Sequence, residues 1–207
     1  MAERPILFSA PMVRAILDGR KKMTRRVIKP APGPRADEFD SETMNAAWQE
    51  GWIDVKCPYG KVGDRLWVRE AFSTGGLAPN EAYYRASAFD RDWYDFTPDE
   101  VAEIRWKPSI HMPRWASRIT LEITDVRVER LNDISKDDIY AEGAITDEWL
   151  EWREDAVNIG MPPGSSIMNE HDVWERLWDS INGLKFPWAS NPWVWIVEFK
   201  RVEQPND

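Results

Sequence analysis

Apolar and polar positions mark the elements of this chain one after another. Pro5-Ile6-Leu7-Phe8-Ser9 predicts a short strand. Pro11, whose ring pre-sets φ, then opens a helix carried by Met12, Val13, Ile16 and Leu17 and stopped at Gly19. The polar run from Gly19 to Arg26 reads as an exposed turn that continues into Val27-Ile28. Residues 30–34 form a proline-rich connection, and residues 35–50 a polar insertion. Lys61-Val62-Gly63-Asp64-Arg65 turns the chain into a strand over residues 66–70, and Tyr83-Tyr84-Arg85 predicts another. Residues 75–80 read as a loop, and residues 90–107 as an acidic, aromatic-laden insertion.

Residues 117–130 alternate along their length, apolar on one face and charged on the other, which is the clearest β pattern in the chain. Ser135 caps a helix running through Asp138 to Glu142, which Gly143 ends. Val173, Trp174, Leu177, Trp178 and Ile181 recur at helical spacing and predict a core-facing helix over residues 171–181. Residues 192–199 make an apolar closing strand. Strands in this number, with two or three short helices, predict an α+β chain built on a small β-barrel. The expected organisation is one domain over residues 1–207, with insertions near 31–56 and 73–107.

Composition adds one anomaly, a supply of 13 tryptophans. Core packing should take about two-thirds of them, leaving flat surfaces on which bases stack. The net charge of −9 argues against a general polyanion binder. Its distribution qualifies this: between Arg14 and Lys29 there are seven basic residues and one acidic residue, Asp18. A local basic site on an acidic body suits a short strand or a single nucleotide better than a long duplex. Cys57 is the only cysteine, and the two histidines, His111 and His171, lie far apart, so no zinc spacing exists. A lone thiol, no long apolar run and no signal-like start predict a soluble protein of a reducing cytoplasm, with no membrane partner and no cofactor.

The segment Ile16-Leu17-Asp18-Gly19-Arg20-Lys21-Lys22-Met23-Thr24-Arg25-Arg26 resembles the hallmark of ASCH domains, a PUA-like β-barrel family. The Gly63-Asp64 turn and the strand Trp195-Ile196-Val197-Glu198-Phe199 match in order, and residues 106–118 resemble the larger phage and prophage-encoded members. The resemblance implies recognition of single-stranded RNA or a modified nucleotide. One branch of small members removes the acetyl group from N4-acetylcytidine, and its Lys, Thr and Glu fall here on Lys21, Thr24 and Glu142. A metal-free ribonuclease is a third reading.

In these roles Thr24 would supply a hydroxyl, Lys21 would take its proton, and Glu142 would carry it to the leaving amine. Crowding by Arg20, Lys22, Arg25 and Arg26 would lower the Lys21 pKa, and the same cations would grip a phosphate. Trp106 and Trp115, flanking His111, would offer a stacking platform. Each residue also has an ordinary reading. The basic run can be a solvated charge face, Thr24 can open a strand, His111 can be a satisfied loop residue, and the two tryptophans can be core.

Overall fold

The computed structural model describes residues 1–29, 36–74, 82–87, 104–158 and 168–202. Seven strands form among these residues: β1 (Glu3–Leu7), β2 (Met23–Val27), β3 (Arg65–Arg69), β4 (Phe72–Ser73), β5 (Tyr83–Tyr84), β6 (Thr120–Arg130) and β7 (Trp193–Val202). Five helices accompany them: α1 (Ala10–Leu17), α2 (Ser41–Gln49), α3 (Lys136–Ala141), α4 (Asp147–Asn158) and α5 (Glu170–Asn182). The chain is therefore α+β. Five strands are ordered β1-β3-β6-β7-β2, and β4 pairs with β5 apart from them. The predicted connection at 30–34, the loop at 75–80 and most of the 90–107 insertion lie outside the described residues.

Two compact units divide the chain. The first comprises residues 1–19, 58–125 and 199–207; the second comprises residues 20–57 and 126–198. In the first, β1 runs parallel to β3, Glu3 opposite Arg65, and β3 runs antiparallel to the start of β6, Leu66 opposite Leu121. Helix α1 begins as its pattern predicts, with Ser9 at the N-cap and Pro11 in the first turn. Gly19 leaves the helix at φ 74°, a conformation that costs glycine nothing and a side chain dearly.

In the second unit, β2 lies antiparallel to β7, Thr24 opposite Val197 and Arg25 opposite Ile196. Its core gathers Met23, Leu131, Ile134, Ile139, Trp174, Trp178 and Ile196. The polar stretch after residue 35 holds α2, capped by Asp40 and buried along Met44 and Ala47. Ser135 caps α3 by accepting from the Asp138 amide, and Asn169 opens α5 with a reciprocal capping box to Asp172. The apolar face of α5 departs from expectation at its end. Trp174 and Trp178 are buried, but Ile181 is half exposed in the last turn.

Two patterns are simpler along the chain than in space. The alternation of β6 slips by one residue: Leu121 and Ile123 are buried, and then Val126 and Val128. A one-residue slip moves the buried set to the other face of a strand, and here it falls where one unit gives way to the other. Among the described tryptophans only Trp174, Trp178, Trp193 and Trp195 are buried; Trp52, Trp115 and Trp152 are exposed, and the rest are half-buried. Indole is too large to be swallowed easily and keeps one N–H that needs an acceptor. Trp48 and Trp178 find theirs in the carbonyls of Val55 and Phe186.

Glu170, at the start of α5, supplies a pH test. Burial pushes its carboxyl up, but the hydrogen bond from Lys136 and the charge of Arg153 outweigh that and hold it near 2 instead of the ordinary 4.5. A depressed carboxyl contributes stability above its unfolded pKa and loses it as pH falls through the folded one. Unfolding free energy, followed by denaturant titration, should drop between pH 4.5 and about 2, and Glu170→Gln should flatten that segment of the profile.

Candidate functional site

The basic run is not an exposed turn. Lys21 is 3 % exposed, Thr24 2 % and Arg25 4 %, because the chain enters β2 directly and carries these side chains into the second unit. A cation can be buried only where its charge is met, and the partner is Glu142, 121 residues further along. Lys21 Nζ donates to Glu142 Oε2 at 2.6 Å and to the Glu142 backbone carbonyl at 2.9 Å. Glu142 stands at the C-cap of α3, where the helix dipole disfavours a carboxylate, so one ammonium satisfies both the acid and the helix end.

Arg25 extends the pair into a network. Its Nη1 donates to Glu142 Oε1 at 3.3 Å and its Nη2 to Asp138 Oδ2 at 2.5 Å. Asp138 and Glu142 are four apart on α3 and share one face, so a planar guanidinium spans them. Glu129 Oε2 lies 3.5 Å from the same Nη2. Arg127 closes the set from β6, bonding Asp138 at 3.2 Å, Glu129 at 2.5 Å, and Glu198. Every member belongs to the second unit.

The Lys21 pKa is lowered chiefly by burial; the carboxylate of Glu142 pulls it back up, and the charges of Arg26 and Arg25 add only the smaller push downward. The expected direction is met, but desolvation rather than cationic crowding is its main cause. The result is an amine that gives up its proton more readily than a surface lysine, hydrogen-bonded to a carboxylate able to receive it.

The remaining expected site residues fall in different places. Arg20 is half-buried and turned toward the carbonyls of Gly143 and Ile145, at 3.5 and 3.4 Å. Lys22 is exposed, its amide bonded to the Ala141 carbonyl, and Arg26 is half-buried. Alternation along β2 puts Thr24 on the face opposite Met23 and Arg25, which touch through Met23 Sδ at 3.4 Å. Trp106, His111 and Trp115 belong to the first unit; Trp106 is half-buried, and His111 and Trp115 are exposed. Among the described residues no three His, Cys, Asp or Glu are grouped to hold a metal, and no helix is long and apolar enough to cross a membrane.

Sequence reasoning missed Arg127, Glu129, Asp138 and Glu198 as site residues. The signal available was the Asp138/Glu142 spacing on one predicted helix. Asp138, Glu129 and Arg127 also line a cleft of about 430 Å³ together with Ser41, Asn45 and Asp133. Its walls present mostly carboxylate, hydroxyl and amide groups, which suit a ligand bearing hydrogen-bond donors and repel a phosphate.

No protein-family model matches the sequence, and no curated protein matches it. Two solved structures resemble it in three dimensions. One is an ASCH domain from Lactobacillus crispatus JV V101, at TM-score 0.38 and 13% identity over 97% of this chain and 79% of that one. The other is a protein from Enterococcus faecalis V583, at TM-score 0.36 and 11% identity over 100% of this chain and 86% of that one.

Breaking the central pair has a predictable cost. Glu142→Gln leaves the Lys21 charge buried beside an uncharged amide and should destabilise the protein by about 3–5 kcal/mol at pH 7. Above the lowered Lys21 pKa the loss should shrink, since the unfolded chain then binds more protons than the folded one and stability rises with pH. Urea midpoints at neutral and alkaline pH measure both effects. The double replacement Lys21→Met/Glu142→Leu should recover most of the stability.

Proposed function

We propose that the protein recognises a single modified nucleobase, presented as a nucleoside or unstacked from a short RNA, in the acidic cleft walled by Arg127, Glu129 and Asp138, whose side chains are held by the network around the buried Lys21–Glu142 pair. The observation that carries this reading is the neutralisation of the motif's own cations. Lys21 is matched by Glu142, and Arg25 by Glu142, Asp138 and Glu129, so neither is left to collect phosphates. What such a site offers instead is fixed donors and acceptors of the kind that read a base edge. The resemblance of the Gly19–Arg26 segment to ASCH domains supports a nucleotide-type ligand.

Binding of a modified cytidine, measured calorimetrically from low to moderate salt, should change little with ionic strength. A ligand held through phosphates would instead lose affinity with a slope of ~0.7 per phosphate on a log–log plot. Lys21→Met/Glu142→Leu, checked by its urea midpoint to be folded, should abolish binding. A steep salt slope, or affinity that grows with RNA length, would overturn the reading.

A second reading, hydrolysis of an N4-acyl group, is favoured by one specific feature: the lowered pKa of Lys21 beside a carboxylate 2.6 Å away. Lys21 would act as the base, Glu142 would hand the proton to the leaving amine, and Thr24 would be the hydroxyl to test. Acetate release from N4-acetylcytidine should then disappear in Lys21→Ala and in Thr24→Ala. Wild-type protein that binds the nucleoside without releasing acetate leaves recognition as the function.

A further inference from the structure

A second cavity lies in the first unit and shares no lining residue with the Lys21–Glu142 site. It has a volume of about 720 Å³ and is lined by Arg14, Arg85, Ser9 and Ser109, with Phe8 and Pro11 among its apolar walls. Among the described residues none that lines it is acidic, although the whole chain carries a net charge of −9. Two guanidinium-bearing residues and two hydroxyl-bearing ones therefore share one hollow, with no carboxylate among its described lining residues.

The arginines are set up differently from Arg25. Arg14 donates Nη1 to the Ala86 carbonyl at 3.3 Å, which fixes one edge of its fork. The Arg85 amide is tied to the Ala71 carbonyl at 2.9 Å, which fixes its backbone while its side chain is exposed. Among the described residues neither guanidinium is held in an ion pair. Arg25, Arg114, Arg118, Arg127 and Arg130, by contrast, are each paired with a carboxylate.

The backbone adds to it. The cavity wall includes Ser9, Ala10 and Pro11, the start of α1. Ser9 makes no side-chain capping bond, and the first turn contains no acidic residue. The amide of Ala10, in that wall, therefore keeps its donor capacity, with the positive end of the helix dipole behind it. Forked guanidinium donors, hydroxyls and a helix-start amide together match the three oxygens of a phosphate. The apolar side, from Phe8 and Pro11, would accommodate the organic group that the phosphate carries.

We propose that this cavity is a binding site for a small organic phosphate, a phosphomonoester with a compact apolar or aromatic group. It is independent of the Lys21–Glu142 site and holds or fails without it. Arg14 and Arg85 provide the charge and the fork, the start of α1 provides an amide donor, and the apolar wall selects the monoester over the bare ion.

The test uses the full chain at low ionic strength, with inorganic phosphate, phenyl phosphate and phenol as probes. Affinity is read by calorimetry and location by amide chemical shifts. Phenyl phosphate should bind more tightly than inorganic phosphate, phenol should not bind, and the Ala10 amide should move. Arg14→Ala and Arg85→Ala should each weaken binding roughly tenfold or more, with thermal unfolding unchanged for the exposed Arg85. Arg85→Lys should retain part of the affinity, since charge survives while the fork is lost. Lys21→Met/Glu142→Leu should leave this binding intact. Unchanged affinity in both arginine variants, equal binding of phenol, no binding of any phosphate, or binding lost only in the Lys21/Glu142 variant would each overturn the proposal.

Discussion

A lysine and a glutamate brought out of water together, Lys21 and Glu142, set the terms for the second unit. Each alone would carry a desolvation penalty of several kcal/mol; together, with the α3 carbonyl taking a further Lys21 donor, they offset much of it. Their geometry depends on β2 pairing with β7 and on α3 ending at Glu142, so strand register and helix cap are both committed to one contact. Arg25 ties that contact to Asp138 and Glu129, and Arg127 ties these to Glu198. Loss of Glu142 would leave the Lys21 charge buried without its carboxylate, whereas Arg127 and Glu198, partly exposed, are less dependent on the network.

This arrangement alters the meaning of the basic run. A stretch of cations on an acidic protein invites the picture of a phosphate clamp, with its steep dependence on salt. Here the densest part of that stretch is internal, and its charges are answered by acids from β6 and from the end of α3. What remains accessible of the run is modest, with Lys22 exposed and Arg26 half-buried. The electrostatic capacity for anions lies instead in the first unit, around Arg14 and Arg85.

The fold was readable wherever the physics is local. Pro11 and Gly19 framed α1, Ser135 and Gly143 framed α3, and alternation exposed β6, because caps and periodicity act over a few residues. The family resemblance singled out Lys21, Thr24 and Glu142, and the first and last of these meet in space. The burial of Lys21 and Arg25 was not legible. Composition around them says surface, and the carboxylates that draw them inside lie more than a hundred positions away. The slip in β6, by contrast, stands in the sequence: apolar positions move from 119, 121 and 123 to 126 and 128 across Thr124-Asp125, and reading the run as one alternation passes over it.

The double duty of Lys21, holding the side chain and the carbonyl of the same residue, has a consequence for how this protein can vary through descent. A lineage that lost Glu142 would strand an amine in the interior, and one that lost Lys21 would leave the acid at the wrong end of a helix to Arg25, at 3.3 Å. Neither half can drift alone. Positions 21 and 142 are a single heritable character, to be exchanged together or kept, and Arg25 adds a third vote to keeping them.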